Sequence, residues 1–279
     1  VKLNVWNEEV CEYLFKALDF WVDEFKIDGV RIDAADSIDF SFFKKLRNHI
    51  NYKKEDLWLM GEVIHGDYSR WANDEMLLTT TNYECYKGLY SSHNDRNYFE
   101  IAHSFRRQFE KGGIYEKLCL YNFVDNHDVS RIASNLTNKN HLPLIYAMAF
   151  GMPGIPCIYY GSEWGATGRK EDGDPALRVS FDTPVWNDLT TFISKLATAK
   201  KSSKALNYGN FSSVVLTNEQ CVFLRQCDDE RVLVAINAAE HPYFASFNMG
   251  CDTCVDMING ETIALNNGME LAGYGAYFL

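Results

Sequence analysis

Three short stretches of this chain carry side chains suited to acid–base and nucleophilic chemistry. In Asp28-Gly-Val-Arg-Ile-Asp33, Arg31 and Asp33 are two residues apart, so on an extended strand both point to one face. Glu62 follows Trp58 and Met60 in the alternation of an otherwise apolar run, and His127 and Asp128 close the stretch Phe123-Val-Asp-Asn-His-Asp128. Cleaving a glycosidic bond with retention needs two carboxyl groups about 5 to 5.5 Å apart, one ionised to attack and one protonated to help the leaving group depart. A third carboxylate can stabilise the cationic transition state. Asp33, with Arg31 beside it as charge partner, suits the attacking role, and Glu62 suits the proton donor. Each residue also has a plain structural reading: an Asp at a strand end caps the next helix, and a His beside an Asp forms a satisfied pair. The three stretches gain weight together, because all end predicted strands on the side where a β/α fold builds its sites.

The elements that must position them alternate. Val10 to Phe25 reads as a helix, Gly29 to Asp33 as a strand and Phe40 to Ile50 as a helix; Leu57 to Val63 is a second strand and Met76 to Tyr83 a third. Tyr98 to Glu110 is a helix, Leu118 to Val124 a fourth strand, Leu142 to Phe150 a helix, Ile155 to Tyr160 a fifth strand, and Val185 to Lys201 a closing amphipathic helix. Strands and helices in this alternation predict an α/β fold of about five parallel β/α units, in a barrel or a doubly wound sheet. No Gly-rich phosphate loop follows any strand, which argues against the nucleotide-binding version. From about Asn207 the pattern becomes short alternating strands between Gly, Asn and Asp turns, predicting a small antiparallel all-β domain over 207–279 after an α/β domain over 1–206.

With 279 residues, 47% hydrophobic and 23% charged, the chain has ordinary globular composition, which excludes disordered and fibrous classes. A net charge of −11 argues against nucleic acid or an anionic membrane as partner and favours a neutral substrate. Eight dispersed cysteines read as free thiols in a reducing, cytoplasmic setting; the pair Cys251 and Cys254 has no second pair nearby and reads as strand cysteines rather than a metal or redox site. The uncharged run Leu142 to Ser162 is long enough to span a bilayer, but its prolines and glycines make it helix, turn and buried strand. No basic stretch followed by an apolar run stands at the start of the given sequence, so nothing there reads as a signal peptide, and any targeting segment is expected to lie in the part that precedes it. Val1 is not an initiator Met, so the sequence is expected to begin inside a longer product.

The strings DGVRIDAAD (28–36), GEVIHGD (61–67) and FVDNHD (123–128) resemble, in order and spacing, three sequence regions of glycoside hydrolase family 13, the α-amylase family. LNVWNEEV (3–10) resembles the segment entering that family's fourth barrel strand, and GIPCIYYGSEWG (154–165) its eighth strand and loop. The resemblance spans the whole chain and is strongest to the neopullulanase, cyclomaltodextrinase and maltogenic amylase branch. It implies that Asp33 is the nucleophile, Glu62 the general acid/base and Asp128 the transition-state stabiliser, with Arg31 positioning Asp33 and His127 bonding the central sugar. It further implies acceptor-side contacts from Asp36 and His65, against a solvated-loop reading, and donor-side contacts from Asp174 and Arg178, against a surface ion pair. Tyr83, Tyr86, Trp164 and Trp186 are candidates for sugar stacking, although most aromatics belong to cores.

In that frame the chain is part of a (β/α)8 TIM barrel, strands four to eight, followed by the β domain. The first three strands have no counterpart here, and five strands cannot close a barrel; the implied consequence is self-association or pairing with an N-terminal portion. The substrate class implied is an α-glucan such as a maltooligosaccharide, cyclodextrin, pullulan or starch. No cofactor or metal is needed for the chemistry in this chain, and any calcium site belongs to the N-terminal part. The competing reading is an inactive remnant that binds glucan or serves structure.

Overall fold

The first helix, α1 (Glu8–Phe25), starts where Asn7 accepts the Glu9 backbone N–H (2.8 Å) and stops at Lys26, whose left-handed backbone turns the chain. The computed structural model describes residues 2–279; Val1 lies outside the described residues. Strand β1 (Gly29–Ile32) follows, then α2 (Phe40–Lys53), capped by the Asp39 carboxylate accepting from the Ser41 N–H at 2.9 Å. Next come β2 (Trp58–Gly61) and the two-residue β3 (Thr79–Thr80). β1 and β2 run parallel in the register Gly29 to Trp58 through Ile32 to Gly61, β3 adds in parallel with Thr79 opposite Met60, and a further parallel bridge joins Thr81 to Tyr121. This sheet, its helices and residues 118–121 form one compact unit, residues 1–83 and 118–121. Its core includes Phe43, Ile50, Leu57, Leu59 and Leu77, all fully buried.

The second unit comprises residues 84–117 and 122–279. It holds α3 (Tyr83–Asn94) from Glu84 on, α4 (Tyr98–Phe109), β4 (Tyr121–Phe123) paired with β5 (Ile155–Cys157), the short α5 (Ile132–Asn135), and the almost wholly apolar α6 (His141–Gly151). The short α7 (Asp174–Leu177), then α8 (Asp188–Ser202) with an Asn187 capping box, and α9 (Lys204–Tyr208) complete the helices. The antiparallel strands are β6 (Asn210–Leu216), β7 (Gln220–Cys227), β8 (Glu230–Asn237), β9 (Tyr243–Ser246), β10 (Thr253–Val255), β11 (Thr262–Ala264), β12 (Gly268–Leu271) and β13 (Ala276–Phe278). They form a four-stranded sheet in the order β13-β8-β7-β6 and two pairs, β12-β9 and β10-β11, over a core including Val222, Leu233, Ala235 and Leu271.

Compactness divides the chain elsewhere than at 206/207, because helices before that point pack on the strands after it. Phe105 of α4 stacks edge-on to Phe211 and Phe223, and the buried Arg225 donates to the Gly151 and Gly209 carbonyls at 2.8 and 2.9 Å.

Three expectations change. The predicted strand Met76 to Tyr83 keeps its ladder only at Thr79–Thr80, because Tyr83 already opens a helix. The strand Ile155 to Tyr160 ends at Cys157 and is half-buried rather than buried. Helix α3, together with β11 and β12, is an element the hydrophobic pattern did not indicate. All eight cysteines are free thiols, and among the described residues no helix is long and apolar enough to cross a membrane.

Candidate active site

In the first unit, the ends of β1 and β2 bring Arg31, Asp33 and Glu62 together. The Glu62 N–H donates to the Ile32 carbonyl, and the Glu62 carbonyl accepts from the Ala35 N–H, both at 2.9 Å, so the two strand ends are tied on each side of the acid. Gly61 precedes it for want of space: a Cβ there would collide with the Leu77 side chain and press on Ala35. Beyond Glu62, Thr81 Oγ1 accepts the Val63 N–H (2.9 Å) and donates back to the Val63 carbonyl (2.8 Å). The backbone carrying Glu62 is therefore fixed from three sides.

The side chains then take unequal positions. Glu62 is buried, whereas the Asp33 side chain is 85% exposed. Arg31 Nη2 lies 2.9 Å from Glu62 Oε1 and 4.0 Å from Asp33 Oδ1. Tyr83 Oη donates to the same Oε1 at 3.3 Å, and the Ala34 N–H donates to Oε2 at 3.2 Å. Ala34 reaches that position in the left-handed region, φ 44°. Arg31 lies within ion-pair distance of Asp33, the residue it is expected to serve, and closer still to Glu62, because the long side chain runs to the buried carboxylate, where charge pairing is worth most. Sharing one guanidinium nitrogen, the two acids have carboxylate oxygens no farther apart than those legs laid end to end, about 7 Å. That limit leaves room for the roughly 5 to 5.5 Å of direct attack and excludes most of the roughly 6.5 to 9.5 Å range of water-bridged inversion.

Asp36 and His65 are exposed in the same unit and line one cleft of about 600 Å³, together with Trp6, Asp39, Arg70 and Trp71. Tyr83 is absorbed by its bond to Glu62.

In the second unit, Asp128 is held by two neighbours. His127 Nε2 lies 3.0 Å from Asp128 Oδ2, and Arg178 Nη2 donates to Asp128 Oδ1 at 3.0 Å. Arg178 Nε also donates to the His127 carbonyl at 3.4 Å. Asp174 lies 3.9 Å from Arg178 and closer, 3.0 Å, to Lys170, whose hydrogen bond holds the Asp174 carboxyl below its ordinary range. So Arg178 pairs chiefly with Asp128, and the pair Asp174–Arg178 is the weaker contact. Tyr86 lies flat on Phe123 (5.0 Å), Trp164 meets Phe181 edge-on (5.1 Å), and Trp186 is exposed with its indole N–H donating to Thr191.

Beneath the His127–Asp128 pair sits a buried frame that the sequence reading missed. Asp125 Oδ2 accepts from the Ile132 N–H (2.8 Å) and from Ser162 Oγ (2.7 Å). Burial lifts the Asp125 carboxyl to about 6, against those hydrogen bonds and the charge of Arg131. Arg131, fully buried, donates to the Tyr160 and Leu177 carbonyls at 2.7 and 2.9 Å and stacks on Tyr159 and Tyr160. The one sequence signal was Asp125 itself, the first acid after the apolar strand; nothing local marks Arg131 as buried. Among the described residues no group of three His, Cys, Asp or Glu side chains could hold a metal ion.

Fold and site together define an α/β protein of the TIM-barrel type with carboxylates at its strand ends. The chain belongs to the α-amylase family: the model of the α-amylase catalytic domain matches residues 1–207. It is 26% identical over 294 residues to a maltogenic α-amylase of Bacillus acidopullulyticus, covering 97% of this chain and 47% of that protein. It is 27% identical over 241 residues to a cyclomaltodextrinase of a Bacillus species, covering 85% and 43%. The chain thus spans about half the length of the curated relatives it matches. The crystal structure of an Anoxybacillus α-amylase superposes with a TM-score of 0.88 at 23% identity, over 99% of this chain and 63% of the other, a likeness of fold.

Proposed function

We propose that this chain carries the catalytic carboxylates of a glycoside hydrolase acting on α-1,4 glucosidic bonds, with α-1,6 bonds as a second linkage, in maltooligosaccharides, cyclodextrins, pullulan or starch. In this reading residues 1–206 are the later β/α units of a barrel, and residues 207–279 its β domain. An Asp33 oxygen attacks the anomeric carbon while Glu62 gives its proton to the departing glucosyl oxygen, leaving a glycosyl ester on Asp33. Glu62 then takes a proton from water, whose oxygen breaks the ester and restores the original configuration. Asp128, braced by His127 and Arg178, stabilises the oxocarbenium-like charge of both transition states. Asp36 and His65 contact the acceptor side, and Asp174 and Arg178 the donor side. The reaction calls for no cofactor.

The observation that carries this reading is the joint hold of Arg31 on Glu62 and Asp33. The test is reducing-sugar release from maltoheptaose, cyclodextrin and pullulan by the 279-residue chain beside Glu62→Gln. Release that falls by about a hundredfold or more in the variant supports the assignment. Equal release in both, or none from either, overturns it for this chain and leaves the structural remnant.

A further inference from the structure

Every hydrogen bond of the buried Arg131 guanidinium goes to a neutral oxygen. Nη1 donates to the Tyr160 carbonyl and the Ser162 hydroxyl at 2.7 and 3.1 Å, and Nη2 donates to the Leu177 carbonyl at 2.9 Å. The Asp125 carboxylate is bonded to it only through Ser162, whose hydroxyl donates to Asp125 Oδ2 at 2.7 Å. A buried cation held this way carries a desolvation cost, which makes the placement of its contacts informative. They converge on the backbone around Arg178. The Leu177 carbonyl accepts from Tyr159 Oη at 3.2 Å as well as from Arg131, so both of its lone pairs are taken. On the other side of Arg178, the Val179 carbonyl accepts from Tyr160 Oη at 2.9 Å. The Arg131 guanidinium lies 4.6 and 5.2 Å from the centroids of those two tyrosine rings, which fixes both hydroxyls.

The Arg178 side chain is half-exposed, and it reaches Asp128 Oδ1 at 3.0 Å and the His127 carbonyl at 3.4 Å. An exposed ion pair gains little by itself against the rotamer freedom it must give up, so a lasting geometry has to come from the backbone beneath it. We infer that Arg131 is a positioning residue, acting with Tyr159 and Tyr160 as a clamp on the backbone flanking Arg178 that keeps the Arg178 guanidinium on Asp128. The inference rests on the glucan-hydrolase reading above for its catalytic consequence: a looser Arg178 leaves Asp128 less well aimed at the developing positive charge, which lowers kcat more than it raises KM. An Arg131 that served the fold alone would change the amount of folded chain and leave the Arg178 contact of each folded molecule as it is.

The experiment joins nuclear magnetic resonance of the 279-residue chain labelled with 15N-arginine to a double-mutant cycle in maltoheptaose turnover. Two changes loosen the clamp. Arg131→Lys keeps a charge, but its shorter side chain cannot hold the Tyr160 and Leu177 carbonyls together. Tyr160→Phe removes only the hydroxyl on Val179 and spares the buried cation, so it reports even where Arg131→Lys does not fold, which circular dichroism decides. In both variants the Arg178 Nε–H signal is expected to move toward its position in Asp128→Asn. The expected fall in kcat is about tenfold for Arg131→Lys and about threefold for Tyr160→Phe, with KM changed less than about twofold. In the Arg178→Ala chain either change should cost less than about twofold more, because its effect runs through Arg178. An Arg178 signal that stays in place in the folded variants overturns the inference, as does a loss of kcat equally large with and without Arg178. A chain that turns over no glucan overturns the hydrolase reading instead, and the Arg178 signal then decides the inference alone.

Discussion

Arg31 Nη2 is 2.9 Å from Glu62 Oε1 and 4.0 Å from Asp33 Oδ1, so one guanidinium serves the buried acid first and the exposed acid second. A lysine would carry the charge on a shorter side chain ending in a freely rotating ammonium, not on the rigid guanidinium whose one nitrogen faces both carboxylates. Arg31→Lys is expected to lower kcat on maltoheptaose by about tenfold to a hundredfold with KM changed far less, as befits loss of positioning. A kcat within twofold of the parent would show that the contact does not orient the acids.

Gly61 tests how tightly the backbone before Glu62 is specified. Gly61→Ala drives a methyl into Leu77 and Ala35, so we expect destabilisation of about 1 to 3 kcal/mol and a larger proportional loss of activity than of folded protein. Urea melts and initial rates on the same samples decide the matter. A stable variant with full activity would mean that Leu77 yields without moving the strand.

Asp125 sets a pH dependence of unusual sign. Its folded value, about 6, lies above the ordinary carboxyl value of 3.8, so the folded protein binds more protons than the unfolded chain between those limits. Stability through this group is therefore fullest below about pH 4 and falls by on the order of 2 kcal/mol as pH rises to 7. Against Asp125→Asn, the parent should lose ground in melting temperature across that interval. A constant difference between the two curves would remove Asp125 as its source.

His93 works in the opposite direction. Fully buried, with Nδ1 2.6 Å from the Leu89 carbonyl and Nε2 3.0 Å from Tyr98 Oη, it is lowered by burial from 6.5 to about 3. The unfolded chain then takes up the extra proton, so stability from this site is complete above about pH 6.5 and is lost on acidification, about 2 kcal/mol by pH 5. That corresponds to a fall of about 4 to 8 °C in Tm. His93→Gln should flatten that part of the acid limb, and an unchanged limb would count against it.

The sequence made the acids legible and their partners illegible for one reason. Alternation along a strand tells which face a residue takes, so Arg31, Asp33 and Glu62 could be placed at strand ends. It does not tell where a flexible guanidinium goes, and Arg31 went to Glu62. Helix α3 shows a second limit: its buried stripe is Cys85, Gly88, Leu89, Ser92 and His93, spaced as a helix requires but built from small and polar residues. Gly88 allows the close approach of Ile101, which a hydrophobic pattern cannot register. Strands β11 and β12 escaped because three and four residues are too few for any alternation to stand out.

Ala34, between the two acids, holds a left-handed backbone that glycine adopts at no steric cost and alanine at roughly 1 to 2 kcal/mol. Glycine there would relieve the turn and in the same act multiply the orientations open to Asp33 and to the N–H that meets Glu62. In the proposed mechanism, the methyl group trades thermal durability for a narrower set of attack angles. Selection for a hardier protein and selection for a faster one would pull this single position in opposite directions.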